Sequence, residues 1–276
     1  AASPHWNGRP SNDEFRLAWR EMADTATVRT LQPALIPPGP THVHAVNSIS
    51  LPGLDDLTVA AGICASLIAD FFIKSAGSSH INMSLVRKLP HVRGHVLEPE
   101  LVLRTLRLNC LVRPYAPLWE ELYSPAWAAD RWVPGVGVAY RDRPEIGEVS
   151  PTWEWATPLR RDADRRQALV EIDAIVAVML GLSADELVTV YRTQFPVLQD
   201  YERKARFDSF GRQLPADLAK ELDKETAAGR KVHHLAGPDR TFVGPFTGVD
   251  RERDLRLAHE HFSRLAAARQ SGRASA

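Results

Sequence analysis

The stretch FRLAWREMADTATVRTLQPALIPPGPTHVHAVNSISLPGLDDLTVAAGICASLIADFF, residues 15–72, decides the fold class. Phe15, Leu17 and Trp19 alternate with Arg16, Ala18 and Arg20, the period of two typical of a half-buried strand, with a helix continued by Glu21 and Met22 as the competing reading. Residues 27–36, rich in Thr, Val, Leu and Ile, read as a second strand. Pro37-Pro38-Gly39-Pro40 ends it, because fixed φ and missing N–H groups stop a ladder. Residues 42–48 resume as a third short strand, so an antiparallel meander is predicted. Asp55 and Asp56 then supply the acidic first turn of a helix. Leu57, Ala60, Ala61, Cys64, Leu67, Ile68, Phe71 and Phe72 follow at i, i+3, i+4 spacing and are nearly apolar all round, so one long helix is predicted to lie buried against the sheet. The expected class is α+β.

Outward from this stretch the periods change. Residues 1–12 (AASPHWNGRPSN) read as an irregular lead-in. After a stop at Gly77, residues 78–95 form a polar, basic loop or short strand. A second helix covers 99–109 on Leu101, Leu103, Leu106 and Leu108, and Pro114 breaks it before a short continuation through Trp119 and Leu122. Residues 124–158, rich in Pro and Gly, have little periodicity and read as an irregular connector. Residues 160–180 form the clearest helix, with Leu169, Ile172, Ile175, Val176 and Met179 on one face and Gly181 as its stop. Ser183 and Glu186 make a capping box for the next helix. The tail holds a turn at Ser209-Phe210-Gly211, an amphipathic stretch 214–228, a loop with Phe242 and Phe246, and a last helix over 250–269. The expected organisation is a lead-in (1–12), an α/β subdomain (13–123), a connector (124–158) and a mainly helical subdomain (159–276).

Composition narrows the function classes. Hydrophobic residues make up 44% and charged residues 25% of 276, which excludes wholesale disorder. Two cysteines, Cys64 and Cys110, cannot build a disulfide framework or a four-thiolate zinc site. No run of eighteen apolar residues is present, and residues 1–10 lack a basic segment followed by an apolar one, so a reducing, cytoplasmic setting without a membrane partner is expected. Basic and acidic residues balance at 34 each, which argues against a uniformly basic coat. Arginine supplies 28 of the 34 cations; its fork suits phosphates and guanine edges, and a GC-rich genome favours it as well.

Catalytic signatures are missing. There is no GxGxxG or phosphate-cradling loop, no HExxH, no GxSxG and no CxxC. His42-x-His44 would share one face of a strand without a third ligand nearby. Asp162, Asp164, Glu171 and Asp173 read as solvated helix charges, since i and i+2 do not share a helical face. No metal site, catalytic residue or bound cofactor is expected.

The balance hides a local excess. Residues 81–113 hold Arg87, Lys88, Arg93, Arg104, Arg107 and Arg113 against Glu98 and Glu100, with His80, His91 and His95 in or beside the stretch. Arg104 and Arg107, spaced i, i+3, are expected on one exposed basic helix face, beside a loop carrying Ser78, Ser79, His80, Asn82 and Ser84. Such a surface can neutralise phosphates and read base edges.

The order of segments brings in a resemblance. Thr27-Val28-Arg29-Thr30, then Ala34-Leu35-Ile36-Pro37-Pro38-Gly39, then Ser66-Leu67-Ile68-Ala69-Asp70-Phe71 and Lys88-Leu89-Pro90, resemble the region after the catalytic domain of large bacterial adenine-specific DNA methyltransferases. These are the type IIG-like restriction–modification enzymes and the DISARM-like phage-defence methylases. Residues 168–202 are similar to the helical hairpin that closes that region, and Phe207-Asp208 with Gly211-Arg212 match its turn. His91 departs from the apolar-Pro continuation of those relatives. The resemblance spans about residues 13–265. It implies a target-recognition region that grips double-stranded DNA, while S-adenosylmethionine is bound and the base flipped by an upstream catalytic domain. The (Asn/Asp)-Pro-Pro-(Tyr/Phe) motif and methyl-donor loop are absent, so a fragment or separate recognition subunit is expected. Arg87, Lys88, Arg93, Arg104 and Arg107 are then the expected backbone contacts, and Ser79, His80, Asn82 and Ser84 the candidates for base readout.

A second reading comes from another class. The apolar helical hairpin 160–194 and the tryptophans Trp119, Trp127, Trp132, Trp153 and Trp155 could make the chain a protein-interaction module that holds a partner subunit of a defence complex.

Overall fold

β3 (Arg16–Arg20) is buried along nearly its whole length and forms the centre of a three-stranded antiparallel sheet. The computed structural model describes residues 5–6 and 8–274, so residues 1–4 and 7 of the lead-in and the last two residues lie outside the described residues. Ahead of β3, β1 (His5–Trp6) pairs with β2 (Arg9–Pro10), and a 3₁₀ turn covers Ser11–Asp13. β4 (Pro33–Ile36) and β5 (Val46–Ile49) flank β3, with Leu17 opposite Leu35 on one side and Ile49 on the other. The strand order β4-β3-β5 corrects the expected meander: the chain leaves one edge through the proline run and returns along the other.

The expected second strand is also shorter, because residues 27–32 are irregular. Their amides are used elsewhere. Thr30 and Leu31 donate their N–H groups to the buried carboxylate of Asp70, at 3.0–3.1 Å. A segment with its donors committed to a side chain cannot also form a ladder.

The long helix is two helices. α1 (Leu54–Cys64) stops at Ala65, and α2 (Leu67–Ser75) starts anew, bent by 68°. Ser66, fully buried, caps α2 by accepting from the Ala69 amide. The next free amide, that of Leu67, donates to Asp173 at 2.7 Å. The break thus places an orphan N–H against a buried carboxylate, which a continuous helix could not do. Among the described residues no single helix is long and apolar enough to cross a membrane.

α3 (Met83–Val86) is a single turn, followed by α4 (Glu98–Asn109), α5 (Ala116–Leu122) and a 3₁₀ turn at Pro125–Ala129. α6 (Asp162–Met179), α7 (Ala184–Gln194) with its Ser183–Glu186 capping box, and α8 (Pro196–Lys204) then follow. α9 (Ala216–Ala227) packs on a hairpin of β6 (His234–Ala236) and β7 (Thr241–Val243), where a loop was expected, with Leu218, Leu222, Leu235 and Phe242 in a small core of their own. α10 (Arg251–Ala274) lies along α6 and closes the molecule. The architecture is α+β, with small antiparallel sheets and a helical C-terminal part.

One apolar core runs from Phe15 through Trp119, Trp127, Ile146 and Ile172 to Phe262 and Ala266. Residues 130–158 contain no helix or strand, yet Trp132, Val133, Val136, Val138 and Ile146 are buried there. The segment is irregular and part of the core at once.

Candidate nucleic-acid interface

The sequence-derived site residues separate into two groups. Ser79, His80, Asn82, Ser84, Arg87 and Lys88 are exposed in one continuous stretch around α3. The backbone of this stretch is stitched to the end of β3: the Ala23 amide donates to the Ser79 carbonyl, and the Ile81 amide to that of Glu21. Trp19 and Asn47 both donate to the Ile81 carbonyl, which anchors the inner side of the loop. Ile81 itself is fully buried, so its neighbours His80 and Asn82 are turned outward.

What each exposed group can still bond follows from its local partners. The Asn82 carboxamide oxygen caps α3, accepting from the Leu85 amide and the Ser84 hydroxyl at 3.0 and 2.7 Å. Its NH₂ group keeps both donors, and Ser84 keeps its lone pairs. His80 and His44 both face Glu21, at 3.6 and 3.4 Å, which brings the loop after the proline run beside the α3 loop. His42 bonds Ser48 rather than a metal partner. Among the described residues no carboxylate lies within ion-pair range of Arg87 or Lys88, and no cluster of His, Cys, Asp or Glu is arranged to hold a metal ion.

The other three residues are placed differently, and the exposed basic helix face is corrected. Arg104 is fully buried. Its Nε donates to Glu171 at 2.6 Å and its Nη1 to Asp130 at 2.6 Å, with Phe262 against the guanidinium plane at 5.2 Å. Burial opposes its charge, but Asp130 and Glu171 outweigh that and raise its pKa above the ordinary arginine value. Arg107, 3% exposed, has no carboxylate partner; it donates to the carbonyls of Thr157, Ile146, Glu145 and Ala156. Burial lowers its pKa to about 10, partly offset by Asp164. Both arginines hold the irregular 130–158 segment onto α4, so neither can reach a phosphate in this fold. Arg93 is half-buried and shared among Asp55, Asp56 and Glu98, which cancels it as a phosphate contact. Of the apparent excess in 81–113, Arg87, Lys88 and Arg113 remain at the surface without a carboxylate partner.

Of the four acids expected to be solvated, Asp162 is exposed and the other three are buried. Glu171 and Asp173 are fully inaccessible, and Asp164 is 5% exposed. Asp173 accepts from Leu67, Arg29 and Arg251. Arg251 and Arg166 also clasp Glu202, and Arg166 reaches Asp254 at 2.7 Å. Tyr140 and Arg143 both bond Asp164. The chain's preference for arginine over lysine serves this interior, where a planar fork satisfies two carboxylates at once. That compositional bias was the one signal in the sequence that pointed towards such a network.

The tryptophans are mostly core. Trp119, Trp127 and Trp132 are buried, and Trp119 and Trp127 pack with Tyr123 as an aromatic cluster. Trp155 is the exception at 70% exposed, with the Arg160 guanidinium stacked 3.4 Å from its ring centroid. Cys64 and Cys110 are buried free thiols, each pushed up to about 12 by burial, and are poor nucleophiles at neutral pH.

No protein-family model, no curated protein and no solved structure matches this chain.

Proposed function

We propose that the chain is a double-stranded DNA recognition module serving an adenine-specific methyltransferase, with the α3 surface as its contact face. The observation that carries this reading is the set of exposed side chains on the outer side of residues 79–88, where two unpaired cations sit beside polar groups with unused donors and acceptors while Ile81, Leu85 and Val86 face inward. Arg87 and Lys88 act as backbone contacts, while Ser79, His80, Asn82 and Ser84 face the base edges. The methyl donor and the catalytic residues belong to an upstream domain or a partner subunit, which the resemblance implies. Arg93, Arg104 and Arg107 are engaged by carboxylates and carbonyls of the chain itself, so the phosphate footprint of this face is small.

Fluorescence anisotropy with a labelled duplex library between 50 and 200 mM salt tests the face. Arg87→Ala with Lys88→Ala should lower the slope of log affinity against log salt by about 1.8, at about 0.9 per phosphate. The melting temperature should not move, because both side chains are solvated. No duplex binding at 50 mM salt, or an unchanged slope in the double variant, would sink the reading.

One observation favours a second role. Trp155, Leu111 and Val112 are exposed next to one another through Arg160, which donates to the carbonyls of Trp155 and Leu111. This apolar, arginine-capped spot suits contact with the catalytic subunit. Retention of that subunit by the wild type but not by Trp155→Ala is the expected pull-down result; equal retention removes this role.

A further inference from the structure

The start of α10 faces α8 across an open cleft of 790 Å³, remote in sequence from the α3 surface. Its walls carry Arg203, Arg206, Arg251 and Arg253, together with Glu202 and Tyr191. A second cleft of 690 Å³ shares Arg206 and Gly248 with it and adds Arg230, Lys231, His233 and Phe246. The two share a wall and are lined together by six cations and four carboxylates, Glu202, Asp223, Asp250 and Glu252; one of the cations, Arg230, is paired with Glu225.

Those carboxylates are already committed. Glu202 is held by Arg166 and Arg251, Asp250 accepts the Arg253 amide, Asp223 takes both arms of Arg206, and Glu252 bonds Arg192 outside the groove. Arg203 meets only the solvated Asp200, and Arg253 only the Gly135 carbonyl at 3.4 Å. Pairs between solvated side chains are worth little, so a polyanion can recruit these guanidiniums.

A separate observation lies at the base of this wall. Arg251 is 4% exposed and spends its terminal nitrogens on Glu202 and Asp173, yet its Nε–H has no acceptor. Burial opposes its charge, and Glu202 and Asp173 override that to keep the cation firmly protonated. A permanent, incompletely satisfied guanidinium beside two solvated ones, Arg203 paired only with Asp200 and Arg253 with no carboxylate partner, at the positive end of a 24-residue helix, is a composition that suits a phosphate.

We infer that the groove between α8 and α10 binds phosphate groups, drawn from a nucleic-acid backbone or from a free oligophosphate. Arg203 and Arg253 supply the charge, and Arg251 sets the field from below. With a nucleic-acid backbone as the source, the groove is a second clamp that provides the footprint the α3 face lacks, and in that case the inference rests on the DNA reading.

The experiment uses the full chain and the charge reversal Arg203→Glu with Arg253→Glu, two solvated side chains whose loss should leave the melting temperature unchanged. Pyrophosphate binding is read by calorimetry and duplex binding by anisotropy across a salt series. If free oligophosphate is the source, the wild type binds pyrophosphate and the variant loses at least tenfold. If the backbone is the source, the variant's duplex salt slope falls by about 1.8. Either result supports the groove. Pyrophosphate affinity and duplex slope both untouched by the reversal, or both absent in the wild type, overturn it. A slope that responds to Arg87→Ala with Lys88→Ala alone, with pyrophosphate affinity unchanged by the reversal, overturns the groove and keeps the α3 face. Pyrophosphate binding by a protein that holds no duplex keeps the groove and removes the DNA reading.

Discussion

Glu202 accepts three hydrogen bonds from two arginines, at 2.5, 2.8 and 2.9 Å, while only 5% of its surface meets water. Desolvation alone would raise its pKa, but Arg251 and Arg166 overcome that and hold it below the ordinary carboxylate value of 4.5. The folded state therefore binds fewer protons here than the unfolded chain. The stabilisation is present above about pH 4.5 and is lost as the pH falls through the folded value. Glu202→Gln should cost about 3 kcal/mol at pH 7, because it leaves two buried guanidiniums with one carboxylate each, Asp254 for Arg166 and Asp173 for Arg251. Urea unfolding of both proteins from pH 7 to pH 3 should show the gap between them closing as the solution is acidified. A gap independent of pH would mean that the carboxylate is not held as an anion.

At the scale of elements, the close approach of α1 to α4 rests on a missing side chain. A Cβ on Gly62 would stand 2.5 Å from Thr105 Oγ1 and 2.8 Å from Leu101 Cδ1, both on the buried face of α4. In a solvated helix Gly→Ala gains up to about 1 kcal/mol. Here overpacking should win, and Gly62→Ala should destabilise by about 1–3 kcal/mol in a denaturant titration. A stabilised variant would contradict the contact between these helices. The glycine was visible in the residue pattern of α1, but its partner was not, since nothing local says which helix will cross there. The α1–α2 break was hidden for a similar reason. The apolar period runs straight through Ala65 and Ser66, and the carboxylate that takes the Leu67 amide comes from α6, more than a hundred residues away.

Across the whole molecule, α4, α6 and α10 share one apolar core with the sheet and with the irregular segment 130–158. Cooperativity should follow that continuity. Tryptophan fluorescence and far-ultraviolet circular dichroism should report one coincident unfolding transition. Two separated transitions would show that the residues before and after the segment are held independently.

Composition and period alone were enough for the α+β class, most helices, the strand at Arg16–Arg20 and the capping box at Ser183, because each depends on neighbours within a few residues. The exposure of Ser79, His80, Asn82, Ser84, Arg87 and Lys88 was legible too, since short polar residues around a single turn have nowhere to bury. Only the tertiary structure decided the strand order, the broken helix, and the fate of the charges. Arg104 and Arg107 form the same i, i+3 pair whether solvated or buried. Which applies depends on Glu171, Asp130 and the carbonyls of 145–157 arriving from elsewhere in the chain. A charge is as readily held by a distant opposite charge as by water, and a linear sequence does not say which will be within 3 Å.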